Sequence, residues 1–177
     1  MHPESLETKR LILRKFTLSD AQDVLNLNAD PMVTKYLPHE DWTSLSKAIQ
    51  NIESKVLKDY ETHGFGRMAV FLKDSNEFMG FSGLKVEEDL EGVDLGFRFR
   101  KKFWNQGYGY ESALPFIKIG FEDLKLNEIL GGAMPDNLGS VVILKKVGMT
   151  YRRDLDIDGV LFNVFSITKD EYANSIL

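Results

Sequence analysis

The stretch Arg98-Phe99-Arg100-Lys101-Lys102-Phe103-Trp104-Asn105-Gln106-Gly107-Tyr108-Gly109-Tyr110-Glu111 carries the residue types and spacing best suited to chemistry. An apolar, strand-like run ends near Phe99, and a helical pattern opens at about Gly109. Between them, Gly107 and Gly109 lack a Cβ, so a ligand can come close to the backbone. The first N–H groups of a helix have no partner inside it and stand at the positive end of its dipole. This is an anion site suited to phosphate or pyrophosphate. The bases Arg98, Arg100, Lys101 and Lys102 just upstream reinforce it. The same residues also suit a plain helix start flanked by solvated bases. No Gly-Lys-Ser/Thr follows, so the turn is not a Walker loop, and no third glycine stands three residues after Gly109, so the dinucleotide pattern is not met.

Other chemistries fall away. The chain has no cysteine, which excludes a thiol nucleophile, a disulfide framework, an iron–sulfur cluster and a thiolate zinc site. Its histidines (His2, His39, His63) lie at no metal-ligand spacing from one another, so no metal is expected. The run Asp154-Leu155-Asp156-Ile157-Asp158-Gly159 opens like a calcium loop, but its twelfth position is Phe165, where a bidentate Glu is needed. A net charge of −5 argues against non-specific nucleic-acid binding. The charge is also segregated. Residues 98–102 hold four bases and no acid, whereas residues 87–94 hold Glu87, Glu88, Asp89, Glu91 and Asp94 and no base. Asp154, Asp156 and Asp158 form another acidic group, as do Glu40 and Asp41.

The elements that position these residues follow from periodicity. A first strand covers roughly 10–16, and Thr17-Leu18-Ser19-Asp20 reads as a capping box opening a helix that ends at Asp30-Pro31. Leu45, Ala48, Ile49, Ile52, Val56 and Tyr60 give a second helix over about 44–61, stopped by His63-Gly64. Three antiparallel strands (65–72, 78–86, 93–99) precede a helix over 109–124 that Pro115 should bend. A buried strand (127–134), a helix (138–147) closed by Gly148, and a hairpin (150–156, 161–168) turning at Asp158-Gly159 complete the order β-α-α-β-β-β-α-β-α-β-β. The expected fold is α/β (α+β), a mixed and mostly antiparallel sheet flanked by helices. With 177 residues, 43% of them hydrophobic, and no linker or repeat, residues 1–177 read as one domain. No run approaches the roughly 20 apolar residues of a membrane span. The N-terminus does not resemble a signal peptide, so a cytoplasmic protein without membrane association is expected.

Trp104-Asn105-Gln106-Gly107-Tyr108-Gly109 resembles the acetyl-CoA pyrophosphate loop, Arg/Gln-x-x-Gly-x-Gly/Ala, of the GCN5-related N-acetyltransferases (GNAT). The first motif position is aromatic here, and the Phe103-Trp104 pair is similar to the RimJ/RimL-type branch that acetylates ribosomal-protein N-termini. Thr8-Lys9-Arg10-Leu11-Ile12-Leu13-Arg14 with Thr17–Ala21 resembles that branch's opening strand and helix. Asn137-Leu138-Gly139-Ser140 and Lys145-Lys146-Val147-Gly148-Met149 resemble its Asn-x-x-Ser…Glu-Lys-x-Gly-Phe signature, with Lys145 for the acid and Met149 for the Phe. The likeness covers about residues 8–168.

The resemblance implies direct transfer of an acetyl group from acetyl-CoA to a primary amine, without a metal. Gln106, Gly107, Tyr108, Gly109 and Tyr110 would hold the pyrophosphate, Phe97, Arg98 and Phe99 the pantetheine arm, and Asn137 and Ser140 would face the cofactor. Asn137 equally suits an N-cap for the helix at Leu138. Val93-Asp94-Leu95-Gly96-Phe97 resembles the branch's Glu-Ile-Gly-Tyr, which carries the role of general base to Asp94, through water because Asp is shorter. Ser140, or less directly Tyr151, would protonate the departing thiolate. The acceptor is expected to be cationic, either a protein N-terminus or a polyamine, aminoglycoside or other small amine, served by a monomer or homodimer. A non-catalytic acyl-CoA-binding module is the reading from another class.

Overall fold

Strand β2 (Leu11–Lys15) buries Leu11 and Leu13 on one face and turns Ile12 and Arg14 to the other, the period of two that a strand imposes. In this computed structural model, residues 3–37 and 44–176 are described. Arg14 forks onto Asp20, Nη1 donating to Oδ2 at 2.8 Å and Nη2 to Oδ1 at 2.7 Å, and its guanidinium lies over the Phe71 ring. Asp20 Oδ2 also accepts the Thr17 backbone N–H at 2.8 Å. One buried carboxylate thereby ties the end of β2 to helix α1 (Ala21–Asn28).

Asp30 does not simply end the helical region. It caps a short helix α2 (Pro31–Thr34), its carboxylate accepting the Met32 N–H at 2.9 Å, with proline at the first helical position where no N–H is needed. Glu40, Asp41, His39 and His2 lie outside the described residues. The expected second helix is α3 (Leu45–Asn51), a π-type stretch (Ile52–Leu57) and α4 (Lys58–His63) running head to tail, closed by Gly64 at φ +76°.

Strands β3 (Arg67–Leu72), β4 (Glu77–Glu87) and β5 (Gly92–Phe99) form the expected antiparallel meander. Helix α5 (Tyr108–Lys118) contains Pro115 and gives way to a wide turn at Ile119–Asp123. Then come β6 (Glu128–Ala133), α6 (Leu138–Lys146), and the hairpin of β7 (Thr150–Ile157) with β8 (Val160–Thr168). Asp158 and Gly159 take φ +51° and +81°, the paired positive values that a two-residue hairpin turn requires. Two elements escape the sequence reading. Strand β1 (Ser5–Glu7), paired with β2, is too short to show alternation. Helix α7 (Lys169–Ile176) is mostly polar and docks by stacking Tyr172 on Phe121 at 4.8 Å.

Among the described residues the strands form one mixed eight-stranded sheet, ordered β1-β2-β3-β4-β5-β6-β8-β7. One of its faces packs Leu11, Leu13, Leu84, Leu95 and Ile129 against Phe116 of α5, and the other packs Ala69 and Phe71 against Val24, Leu27 and Ile52. The α/β fold expected from the sequence is the one found. Among the described residues no helix is long and apolar enough to cross a membrane.

Burial pushes the Asp20 carboxyl up, but the hydrogen bonds from Arg14 and Thr17 outweigh it and hold the group below its ordinary value. A carboxyl lowered in the fold stabilises above its unfolded pKa, and that contribution disappears as pH falls through the folded value. Asp20→Asn is expected to cost about 2 kcal/mol at pH 7, as loss of one partner of a buried, hydrogen-bonded charge does. Urea unfolding should show the gap to wild type narrowing as pH drops below about 4.

Candidate active site

Every neighbouring pair in the sheet is antiparallel except β5 with β6, and that parallel ladder registers at one pair only, Asp94 with Leu130. Beyond it no further pair registers toward their C-terminal ends. The end of β5 and the segment after β6 border a cavity of about 790 Å³. Phe97, Arg98 and Phe99 line it from β5, Gly107 through Tyr110 from the glycine turn, and Asn137 with Ser140 from the start of α6. Nine of the residues expected to meet the cofactor are thus brought to one space; Gln106 is not among them.

Gly107 is the N-cap of α5 at φ +81°, a left-handed conformation that glycine adopts without strain. It places the free N–H groups of the first turn at the cavity wall. Gly109 lines the same cavity and also packs closely on its other side. A Cβ there would stand 2.6 Å from Ile143 Cδ1, so its bareness lets α5 pack against α6. Gln106 turns away from the cavity, its amide Nε2 donating to the Lys102 carbonyl at 2.7 Å. Two of the upstream bases are also engaged elsewhere. Arg100 pairs with Asp23 at 2.7 Å, and Lys102 pairs with Glu77. Their charges are largely compensated, and Lys146 is the lysine that lines the cavity.

Thr8, Arg10 and Glu111 were not singled out as site residues, yet they join the glycine turn to β2. Glu111 Oε1 accepts from the Thr8 hydroxyl at 2.6 Å and the Arg10 backbone N–H at 2.7 Å, and Oε2 accepts from Arg10 Nε at 2.6 Å. Arg10 also donates to the Gln106 carbonyl at 3.1 Å and lies over the Tyr108 ring. Desolvation pushes the Glu111 carboxyl up, but the bonds from Thr8 and Arg10 prevail and leave it below the usual range.

Asp94 is buried at the point where β5 and β6 register, on the face away from the glycine turn, and it does not line the cavity. Its Oδ2 accepts from Arg67 Nη2, and Arg67 Nη1 donates to the carbonyls of Gly83 and of Asp94 itself, the latter at 3.0 Å. Gly96 has no Cβ to collide with this guanidinium. Arg67 was missed, although one base inside the apolar run Phe65–Leu72 is itself a sign of a buried ion pair.

At the other wall, Asn137 Oδ1 accepts the Ser140 N–H at 3.2 Å, so Asn137 is a helix cap that also faces the cavity. Tyr151 is half exposed on the edge strand β7, donates to Asp154 at 3.1 Å and does not reach the cavity. The segment after α2 contributes residues that no motif announced. Tyr36 lines the cavity and donates to the Asp136 carbonyl at 3.2 Å, bridging from α2 to the turn before α6.

The residues fit a nucleotide thioester. The helix start is cleared for an anion, the end of β5 lies beside it, and both border the same cavity. The family of the acetyltransferase (GNAT) domain matches residues 10–150. An uncharacterized N-acetyltransferase p20 of Bacillus licheniformis is 31% identical over 96% of this chain and 99% of its own. The crystal structure of a GNAT-family acetyltransferase from Bacillus anthracis superposes with a TM-score of 0.79 at 23% identity, covering 94% of this chain and 99% of that one. A ribosomal L7/L12 alpha-N-protein acetyltransferase in complex with coenzyme A also superposes at 0.79, with 16% identity over 95% and 99% of the two chains. The helix start, the end of β5 and these likenesses agree: the chain belongs to the GNAT family of acetyltransferases and is an acetyl-CoA-dependent N-acetyltransferase.

Proposed function

We propose that this N-acetyltransferase acts on the α-amine of a protein N-terminus, as a RimJ/RimL-type member of its family. The observation that carries the reading is Asp94. It is the one buried carboxylate at the registered pair of β5 and β6 among the described residues, it is short, and Arg67 already holds it. That is little machinery for removing a proton, and it favours an acceptor that is already neutral. An α-amine has a pKa of about 7.7–8.0 and a lysine about 10.4, so near pH 7 the α-amine is neutral a few hundred-fold more often. The α-N-acetyltransferase among the structural neighbours is in line with this choice.

Bound acetyl-CoA supplies an activated acetyl group on a thiolate leaving group. The chain's own residues do the rest. N–H groups at Gly107 through Tyr110 would hold the pyrophosphate, and the free edge of β5 at Phe97, Arg98 and Phe99 would align the arm. Asp94 would receive the amine proton through water, with Arg67 fixing the carboxylate. Ser140, whose N–H is fixed by Asn137, would offer its hydroxyl to the leaving sulfur. Tyr151 is the weaker candidate because it stands outside the cavity. The domain works alone or as a homodimer.

Release of free thiol across a panel of N-terminal peptides, polyamines, aminoglycosides and amino acids tests the acceptor. Peptide α-amines should turn over best at pH 7, and a clear preference for spermidine or for a lysine side chain would overturn the choice. Asp94→Asn should lower kcat at least tenfold while acetyl-CoA still raises the melting temperature. Gly107→Ala puts a Cβ on a residue at φ +81° and should weaken acetyl-CoA binding about tenfold or more in calorimetry.

A further inference from the structure

The glycine turn is not a free-standing loop. Its two ends are fastened to β2 by one side chain, Arg10. The guanidinium donates Nη1 to the Gln106 carbonyl at 3.1 Å and Nε to Glu111 Oε2 at 2.6 Å, and stacks 4.1 Å over the Tyr108 ring between them. Arg10 does not line the cavity. It acts from behind, and the direction of its pull matters. In a trans peptide the C=O and the following N–H point opposite ways. Drawing the Gln106 carbonyl back toward β2 therefore aims the Gly107 N–H the other way, toward the cavity that Gly107 lines.

The second end is electrostatic. Glu111 stands in the first turn of α5, where a carboxylate suits the helix dipole but opposes an incoming pyrophosphate. Its oxygens are occupied by Thr8 and Arg10, so its charge faces a compensating cation rather than the cavity.

We infer that Arg10 is a positioning residue for the donor, orienting the Gln106–Gly107 peptide and neutralising Glu111 so that the start of α5 accepts the pyrophosphate of acetyl-CoA. This rests on the assignment of that helix start to the pyrophosphate.

The test compares two acetyl donors, acetyl-CoA and S-acetylpantetheine, which has the thioester arm but no pyrophosphate. Wild type is first titrated with CoA by calorimetry; absence of binding there counts against the pyrophosphate assignment itself. With binding established, Arg10→Gln should raise the KM for acetyl-CoA at least tenfold with little change in kcat, and should reduce the kcat/KM preference for acetyl-CoA over S-acetylpantetheine by a similar factor. A generally loosened fold would lower both donors alike, so an unchanged preference overturns the proposal. Arg10→Lys keeps the charge without the fork, and covers the event that Arg10→Gln does not fold. It should recover part of the preference, and wild-type preference in that variant would contradict the orienting role. In Arg10→Gln/Glu111→Gln the affinity for CoA should rise above that of Arg10→Gln alone, because the uncompensated carboxylate is gone. No rise would contradict the neutralising role.

Discussion

The single registered pair between β5 and β6 is the constraint on which the rest depends. Everywhere else in the sheet neighbouring strands run antiparallel and bond along much of their length. Between the parallel strands β5 and β6, Asp94 and Leu130 are the one pair in register. Backbone N–H and C=O groups need partners, and a strand edge left open inside a protein is a place for something else to pair. Side chains from α6 and from the glycine turn form the walls of that opening, so the fold makes the cavity by omitting hydrogen bonds rather than by adding a pocket to a finished sheet.

Both faces of the sheet then contribute. The face under α5 carries the helix start proposed to bind the pyrophosphate, with Leu95 and Phe99 in its core. The opposite face carries Asp94, with Arg67 reaching across from β3 where Gly96 leaves room. In the proposed function, donor and proton acceptor would therefore be held by opposite faces of one strand, and alternation along β5 would enforce the separation. The absence of cysteine from the chain agrees with direct transfer, since no acetyl-cysteine intermediate can form.

Much of this was legible in the sequence, for physical reasons. Long periodic segments such as the β3–β5 meander and α6 declare themselves because one face must be buried. The glycine turn alone also suits a plain helix start, and it was legible as a ligand site through its order and spacing with Thr8–Arg14 and Asn137–Ser140. What stayed hidden depends on contacts distant in sequence. Gly107 and Gly109 look equivalent in the motif, yet one is bare for a left-handed turn and the other for Ile143. The bases at 100 and 102 read as phosphate ligands until Asp23 and Glu77 are seen to engage them. Arg10 and Glu111 are about a hundred residues apart, and no local period links them.

Amide hydrogen exchange with and without saturating CoA tests the central claim most directly, because it maps where the backbone becomes paired. Protection should appear at Phe97 through Phe99 and at Gly107 through Tyr110, with none along β7. Protection confined to another surface, such as the hollow beside Asp30 and Lys101, would contradict the account.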